Sequence, residues 1–392
     1  MLENAVDNVI ILAAGQGTRM KSKTPKVLHK LCGKEIILWL LESVNQINPK
    51  KIIVVLQHEA KTIQKFIETE FIKKNKGNIS ADIKFVMQSD IYGTGQAVKD
   101  GLQAIGPSQN SRVSQNSKKF AASDNVLIVP GDTPLLSPET LKKMFSKHLL
   151  GGSSATILTA YINNPKGFGR IIKDSDNENK IVKIVEEADA ENWQREIQEV
   201  NTSVYIFQIE HLTKYINKIE SNNAKGELYL TDVIEYMAKN LAVSSVEAQN
   251  IYEVLGMNDR VQLAELTEYQ YKKIAEQNML NGVTIIDPKT TYIDSDVEIG
   301  KDTIILPGCI IKGPAQIGEN CTIGPYSYIR PKTVLSKNAK IGSFVETKNA
   351  KIEANSKVPH LSYVGDAEVG SNTNIGAGTI FANYDGENKH FT

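Results

Sequence analysis

The chain has 392 residues, with 45 basic and 45 acidic side chains, 41% hydrophobic and 23% charged residues, enough for two or three domains of ordinary globular composition. A formal net charge of zero gives no general attraction to nucleic acid or to an anionic membrane. Three cysteines form neither a disulfide framework nor a Cys-x-x-Cys metal signature, which points to a reducing, cytoplasmic setting; no signal-peptide pattern and no apolar run near the ~20 residues of a membrane span is present.

In chain order, Val9-Ile10-Ile11-Leu12 reads as a buried strand, followed by Ala13-Ala14-Gly15-Gln16-Gly17-Thr18-Arg19-Met20. Gly15 and Gly17 permit a sharp turn that aims backbone N–H groups at a ligand. Arg19 adds a planar cationic fork, and Lys26, set after Pro25, adds a compact positive charge. The set suits a nucleoside triphosphate. The third glycine of a dinucleotide fingerprint is missing, as is the Gly-Lys-Ser/Thr of a Walker loop. A Gly-rich turn after a strand is also common in α/β domains that bind nothing there.

Residues 52–56 and 126–129 read as further strands, and 60–71 and 138–148 as helices. That alternation predicts a Rossmann-like, doubly wound α/β sheet with ligands beyond the carboxyl ends of its strands. The Ser/Asn/Lys-rich stretch 106–125 is expected to be a mobile surface insertion. Asp132, just after a strand, suits Mg²⁺ or, equally, a turn or cap. A long helix is expected over 258–280, with Asn258 as cap, Leu263, Leu266 and Ile274 on one stripe, and Gly282 as its stop.

Past the helix the periodicity changes. Ile293, Ile299, Ile305, Ile311, Ile317, Ile323, Ile329, Leu335 and Ile341 fall at an unbroken spacing of six. Neither a helix nor a simple strand has that period, and a hexapeptide β-helix does. The pattern slips by one at Ile352 and again at Val369, where bends that shape a site are expected. The expected divisions are 1–232, a linker 233–282 carrying the long helix, and 283–392. The chain ends at Thr392 with no closing helix or polar cap after the last repeats.

Leu-x-x-Gly-x-Gly-Thr-Arg-Met over 12–20, with Pro25-Lys26 and the hexads, resembles the bifunctional bacterial N-acetylglucosamine-1-phosphate uridyltransferase / glucosamine-1-phosphate N-acetyltransferase family. The resemblance runs from about residue 5 to the end. It implies a left-handed β-helix, with three hexads to a coil, and a homotrimer. It implies transfer of UMP from UTP to N-acetylglucosamine 1-phosphate with one or two Mg²⁺, and of acetyl from acetyl-CoA to glucosamine 1-phosphate.

Carried over residue by residue, Leu12, Ala13, Ala14, Gly15 and Lys26 would meet the nucleotide, and Gln88, Gly93 and Thr94 the uracil. Arg19 and Lys26 would act in catalysis, and Asp132 and Asn258 would hold metal. Gly169, Glu186 and Asn201 would meet the sugar. In the second half His360 would be the catalytic base. Arg330, Lys348, Tyr363, Asn374 and Lys389 would contact the sugar phosphate, and Ala377, Asn383 and Tyr384 would lie near the acetyl group, with Lys389 also beside acetyl-CoA. A lone histidine is more often a surface or hydrogen-bonded residue. Ser203 and Ala188 depart from the family's usual glycine and lysine. The family continues for several more coils, so the chain is expected to be incomplete, with acetyl transfer impaired. The alternatives are a monofunctional nucleotidyltransferase with a structural β-helix, or a non-catalytic scaffold of the same architecture.

Overall fold

The computed structural model describes residues 7–90, 92–106, 124–178 and 180–392. It divides into two compact units: Met1–His29 with Glu35–Gln262, and Lys30–Lys34 with Leu263–Thr392. The expected insertion lies, apart from its ends, outside the described residues.

The first unit is built on one sheet. Its strand order is Val243–Glu247, Ala155–Tyr161, Glu199–Gln208, Asn125–Pro130, Asn8–Leu12, Lys51–Leu56 and Asp82–Met87. The last four are parallel, and Glu199–Gln208 runs against both of its neighbours. Strand alternation divides the apolar residues between two cores. Val9, Ile11, Ile52, Val54, Leu127 and Val129 pack with helices Ile36–Asn45, Ala60–Ile67 and Pro138–Leu150. Ile10, Ile53, Val55, Val126 and Ile128 pack with Thr94–Ile105, Ile209–Ile216 and Asp232–Ala238. Helices therefore cover both faces, as expected of a doubly wound sheet. The chain runs outward from Asn8–Leu12 in one direction and returns to Asn125–Pro130 on its other side. The carboxyl ends of these two strands form the switch point.

Residues 233–262, expected in a linker, belong to this unit. They supply most of the Asp232–Ala238 helix and the edge strand Val243–Glu247, which pairs in parallel with Ala155–Tyr161. Val233, Ile234 and Met237 are fully buried, and that apolar face holds the segment in the core. The long helix runs Arg260–Leu280. Its first turn is capped by Asp259, whose Oδ1 accepts from Val261 and Gln262 N–H at 2.9 Å each. Asn258 is thus not the cap; its side chain is committed elsewhere, as described below.

The second unit is a parallel β-helix of short strands, the left-handed hexapeptide architecture. On one side Thr284–Ile285, Ile304–Ile305, Thr322–Ile323, Lys340–Ser343 and Lys357–His360 stack in order. Eight of the nine hexad residues are buried, Ile299 being half-buried. Ile304 to Thr322 and Thr322 to Lys340 are steps of 18 residues, and Lys340 to Lys357 is a step of 17. The slips at Ile352 and Val369 are one event in two successive coils, a side shortened to five residues, Leu335 pairing with Ile352 and Ile352 with Val369. No loop protrudes there. The shortened sides turn through Asn349 and Asp366, both at positive φ. Residues Lys30–Lys34 fold with this unit: the Cys32 carbonyl accepts from Ser295 N–H at 3.0 Å.

One polar group lies deep in the first unit. His148 is 1% exposed, between Thr156 Oγ1 at 2.9 Å and Asn125 Oδ1 at 3.1 Å. Burial pushes its pKa down to about 4. The unfolded chain therefore binds a proton near pH 6.5 that the folded chain refuses until about pH 4. His148 thus contributes stability above pH 6.5 that drains away as pH falls toward 4, by about 3 kcal/mol. Urea unfolding of His148→Gln and the parent is expected to differ most at pH 7 and to converge by pH 4.5.

Candidate active sites

The first unit opens at the switch point into a cavity of about 750 Å³. The turn after Asn8–Leu12 supplies one wall with Leu12, Ala13, Ala14, Gly15 and Gln16. Gly17 sits at φ 62°, where a Cβ would lie 2.8 Å from that of Lys26, so only glycine lets the loop fold back on Lys26. A short 3₁₀ turn, Thr18–Met20, follows, anchored by buried Met20, and leaves Arg19 exposed.

Opposite this turn lies Asp132, which follows Asn125–Pro130 directly. The Asp132 carbonyl accepts from Met257 N–H at 3.0 Å, which brings Asn258 beside it. Lys26 Nζ donates to Asp132 Oδ2 in a half-buried ion pair and reaches Asn258 Oδ1 at 3.3 Å. Arg19 donates to the same Asn258 oxygen at 2.8 Å. Four residues up to 239 positions apart therefore meet at one point. Two oxygens there already attract cations, and an oxygen donor set of this kind suits Mg²⁺. Among the described residues no group of three His, Cys, Asp or Glu side chains could hold a metal, so such an ion would rely on Asp132, Asn258, phosphate and water.

Gln88, Gly93 and Thr94 line another wall. Gln88 Nε2 donates to the Gly93 carbonyl at 3.3 Å. Gly93 takes φ 121° against the Leu228 backbone, a place with no room for a side chain. Thr94 begins the helix Thr94–Ile105 and its Oγ1 accepts from Leu230 N–H at 3.1 Å.

The far wall holds Gly169, Glu186 and Asn201. Gly169 and Asn201 are paired across adjacent strands. Glu186 accepts from Thr231 Oγ1 at 3.1 Å, and burial raises its pKa. Every residue expected at the nucleotide and its sugar thus faces one cavity. Gln57, Lys166, Lys225 and Gln262 also line it and were not anticipated. Gln262 had a signal, standing four residues after Asn258, and its Oε1 accepts from Asn258 N–H at 2.7 Å.

In the second unit the expected residues occupy the last described coils. Arg330 donates to Glu346 at 2.7 Å, and Lys348 pairs with Asp366 at 3.6 Å. Asn383 donates to Tyr363 Oη at 3.2 Å and also to Asp366. His360 is exposed at the end of Lys357–His360, and its carbonyl accepts from Ser362 Oγ at 2.9 Å. Asn374 bridges to Lys357, and Tyr384 to Lys389. Ala377 lies in an exposed turn. Asp366, missed in the sequence, joins Lys348 and Asn383. It lies on the side that the hexad slip shortens, at a corner of φ 48° such as the regular coils also have at Asn320 and Asn338.

Residues 9–168 match the MobA-like NTP transferase domain, and residues 296–331 and 314–348 match the bacterial transferase hexapeptide family of six repeats. Solved structures of UDP-glucose pyrophosphorylase, with UDP-glucose and without ligand, align at TM-score 0.54 with 17% and 15% identity. They cover 68% and 69% of this chain and 99% of their own, a likeness of fold. Fold and site together define a transferase that joins a nucleotidyltransferase unit to a hexapeptide acyltransferase unit. The chain is 40% identical to the bifunctional protein GlmU of Clostridioides difficile over 97% of its own length and 84% of that protein's. The figures are 40%, 98% and 85% for GlmU of Enterococcus faecalis, and 38%, 99% and 86% for that of Trichlorobacter lovleyi. The chain belongs to the bifunctional GlmU family.

Behind Glu186, burial and the charges of Glu235, Glu186 and Asp189 push Asp232 up to about 6. A raised carboxylate favours the folded state below pH 3.8, and that gain is gone once the pH passes about 6. Asp232→Asn is therefore expected to stabilise the protein at pH 7 by on the order of 1 kcal/mol after solvent screening, and by nothing measurable at pH 4. Denaturation midpoints at the two pH values check this.

Proposed function

We propose that the first unit joins UTP to N-acetylglucosamine 1-phosphate and releases pyrophosphate, and that the second acetylates glucosamine 1-phosphate from acetyl-CoA. The observation that carries the first half is the meeting of Arg19, Lys26, Asp132 and Asn258 at the strand edge. The nucleophile, a sugar-phosphate oxygen, is already ionised at neutral pH. Its bond to the α-phosphorus forms as the bond to the bridging oxygen of pyrophosphate breaks. No general base is required, only alignment and neutralisation of charge. Leu12, Ala13, Ala14 and Gly15 present backbone to the triphosphate, and Arg19 and Lys26 neutralise it. Gln88, Gly93 and Thr94 read the uracil; Gly169, Glu186 and Asn201 hold the sugar. Asp132 and Asn258 would hold Mg²⁺, which when bound offsets phosphate charge.

In the second unit His360 takes a proton from the attacking amine, the nitrogen bonds to the thioester carbonyl carbon, and coenzyme A leaves as thiolate. Arg330, Lys348, Tyr363, Asn374 and Lys389 hold the sugar phosphate, and Ala377, Asn383 and Tyr384 flank the acetyl group. The assembly is a homotrimer: Ile304, Ile310 and Tyr328 stand exposed on the sides of the β-helix, beside the stacked pair Tyr326 and Phe344. All three cysteines are buried and unpaired, in keeping with the cytoplasm. No helix among the described residues is long and apolar enough to cross a membrane.

Two assays on one preparation test the reading: pyrophosphate release from UTP with N-acetylglucosamine 1-phosphate, and free thiol from acetyl-CoA with glucosamine 1-phosphate. Lys26→Ala is expected to lower kcat of the first by about 10²-fold or more and to spare the second. His360→Ala is expected to lower the second by about 10²- to 10⁴-fold and to spare the first. Absence of pyrophosphate release from the parent chain would refute the first assignment, and thiol release that His360→Ala leaves unchanged would refute the second.

A further inference from the structure

The strand Glu199–Gln208 is broken at the cavity wall. Asn201 pairs with Thr159 and Tyr205 with Ile157, so four steps on one strand oppose two on the other. In a regular strand, residues four apart stand about 13 Å from one another. Here Asn201 Nδ2 donates to Tyr205 Oη at 2.7 Å. The chain closes that gap with a bulge that passes through Ser203 at φ 62°. Bulges of this kind re-aim side chains beside binding sites.

The geometry assigns the Asn201 amide one orientation. Ser203 N–H can only donate, and it donates to Asn201 Oδ1 at 3.1 Å. The oxygen therefore faces Ser203, and the nitrogen faces the phenol. One N–H and one lone pair of Asn201 remain for a ligand. Tyr205 itself does not line the cavity, being 2% exposed in the core behind it, while Asn201 and Ser203 do line it. Burial raises the phenol's pKa, so Tyr205 stays a neutral partner.

We propose that Tyr205 is a positioning residue for sugar recognition: through the bulge at Ser203 it fixes the Asn201 amide toward the hydroxyl and acetamido groups of an N-acetylated sugar phosphate. This rests on the reading of Asn201 as a sugar contact. Ser203 is where a glycine would be cheapest, yet the left-handed turn, not the hydroxyl, is what brings Asn201 to Tyr205.

The test is steady-state kinetics of pyrophosphate release by the full chain, with UTP and N-acetylglucosamine 1-phosphate varied separately. Asn201→Ala is expected to raise KM for the sugar phosphate and leave KM for UTP within twofold. Tyr205→Phe, which removes only the oxygen, is expected to raise the sugar KM by about 5- to 30-fold, the cost of unpairing a buried donor, again without change for UTP. The double variant is expected to match Asn201→Ala alone, because Tyr205 acts only through Asn201. Ser203→Gly keeps the turn and is expected to stay within twofold of the parent. Ser203→Val resists φ 62° and is expected to resemble Tyr205→Phe. A sugar KM unchanged in Tyr205→Phe, or effects that add fully in the double variant, would overturn the proposal while the sugar contact stands. An unchanged sugar KM in Asn201→Ala would remove the sugar contact and the proposal with it. Equal rises in both KM values for Tyr205→Phe would mark a general structural role and overturn it as well.

Discussion

The ion pair between Lys26 and Asp132 is the interaction around which the first site is organised. Each member is mostly shielded from water, at 14% and 17% side-chain exposure, so neither could be left alone without a large desolvation cost. The pair exists because the strands Asn8–Leu12 and Asn125–Pro130 lie side by side in parallel, so that the turns after them leave the sheet at the same edge. The bend at Gly17 then carries Lys26 back across that edge, and the bond from Met257 brings Asn258 to complete the group. On the proposed reading, a polyphosphate arriving with a divalent ion would exchange these partners charge for charge and strand none of them.

The second unit follows a different constraint. Its short strands cannot bury a face alone, so each coil depends on the coils beside it. Buried isoleucines in register make the stack regular, and residues at the corners of successive coils then meet. Asn338 donates to Asn355 at 2.9 Å and Asn355 to Asn372 at 3.0 Å. On the side shortened from six residues to five, Asp366 Oδ1 accepts from Asn349 Nδ2 at 2.7 Å. Asp366 then gathers Lys348 and Asn383.

Most of the architecture was legible because its signals are periodic. The strand runs near Ile10, Ile53 and Ile128 are apolar on both faces, and the hexads carry a spacing no other fold uses. The loop set Gly15, Arg19, Lys26 and Asp132 was legible as a group, two cations and a carboxylate following adjacent buried strands, although Asp132 by itself read equally well as a turn or cap. The boundary after residue 232 was not legible: an edge strand such as Val243–Glu247 alternates weakly and declares itself only by pairing with Ala155–Tyr161. Asn258 and Asp259 compete for one cap, and only the fold decides that Asp259 takes it. The link from Asn201 to Tyr205 was hidden because it depends on a bulge, and a bulge has no period.

The short stretch Lys30–Lys34 has a consequence for anyone who would separate the two halves. It follows Lys26 by only a few residues, yet it folds with the β-helix, where Gly33 lies close against the Asp294 side chain and the Cys32 thiol meets the Thr267 carbonyl at 3.6 Å. A single cut near residue 262 therefore yields no clean pair of fragments. The amino-terminal piece would carry Lys30–Lys34 without its partners, and the carboxyl-terminal piece would lack the segment that Ser295, Thr267 and Asp294 contact.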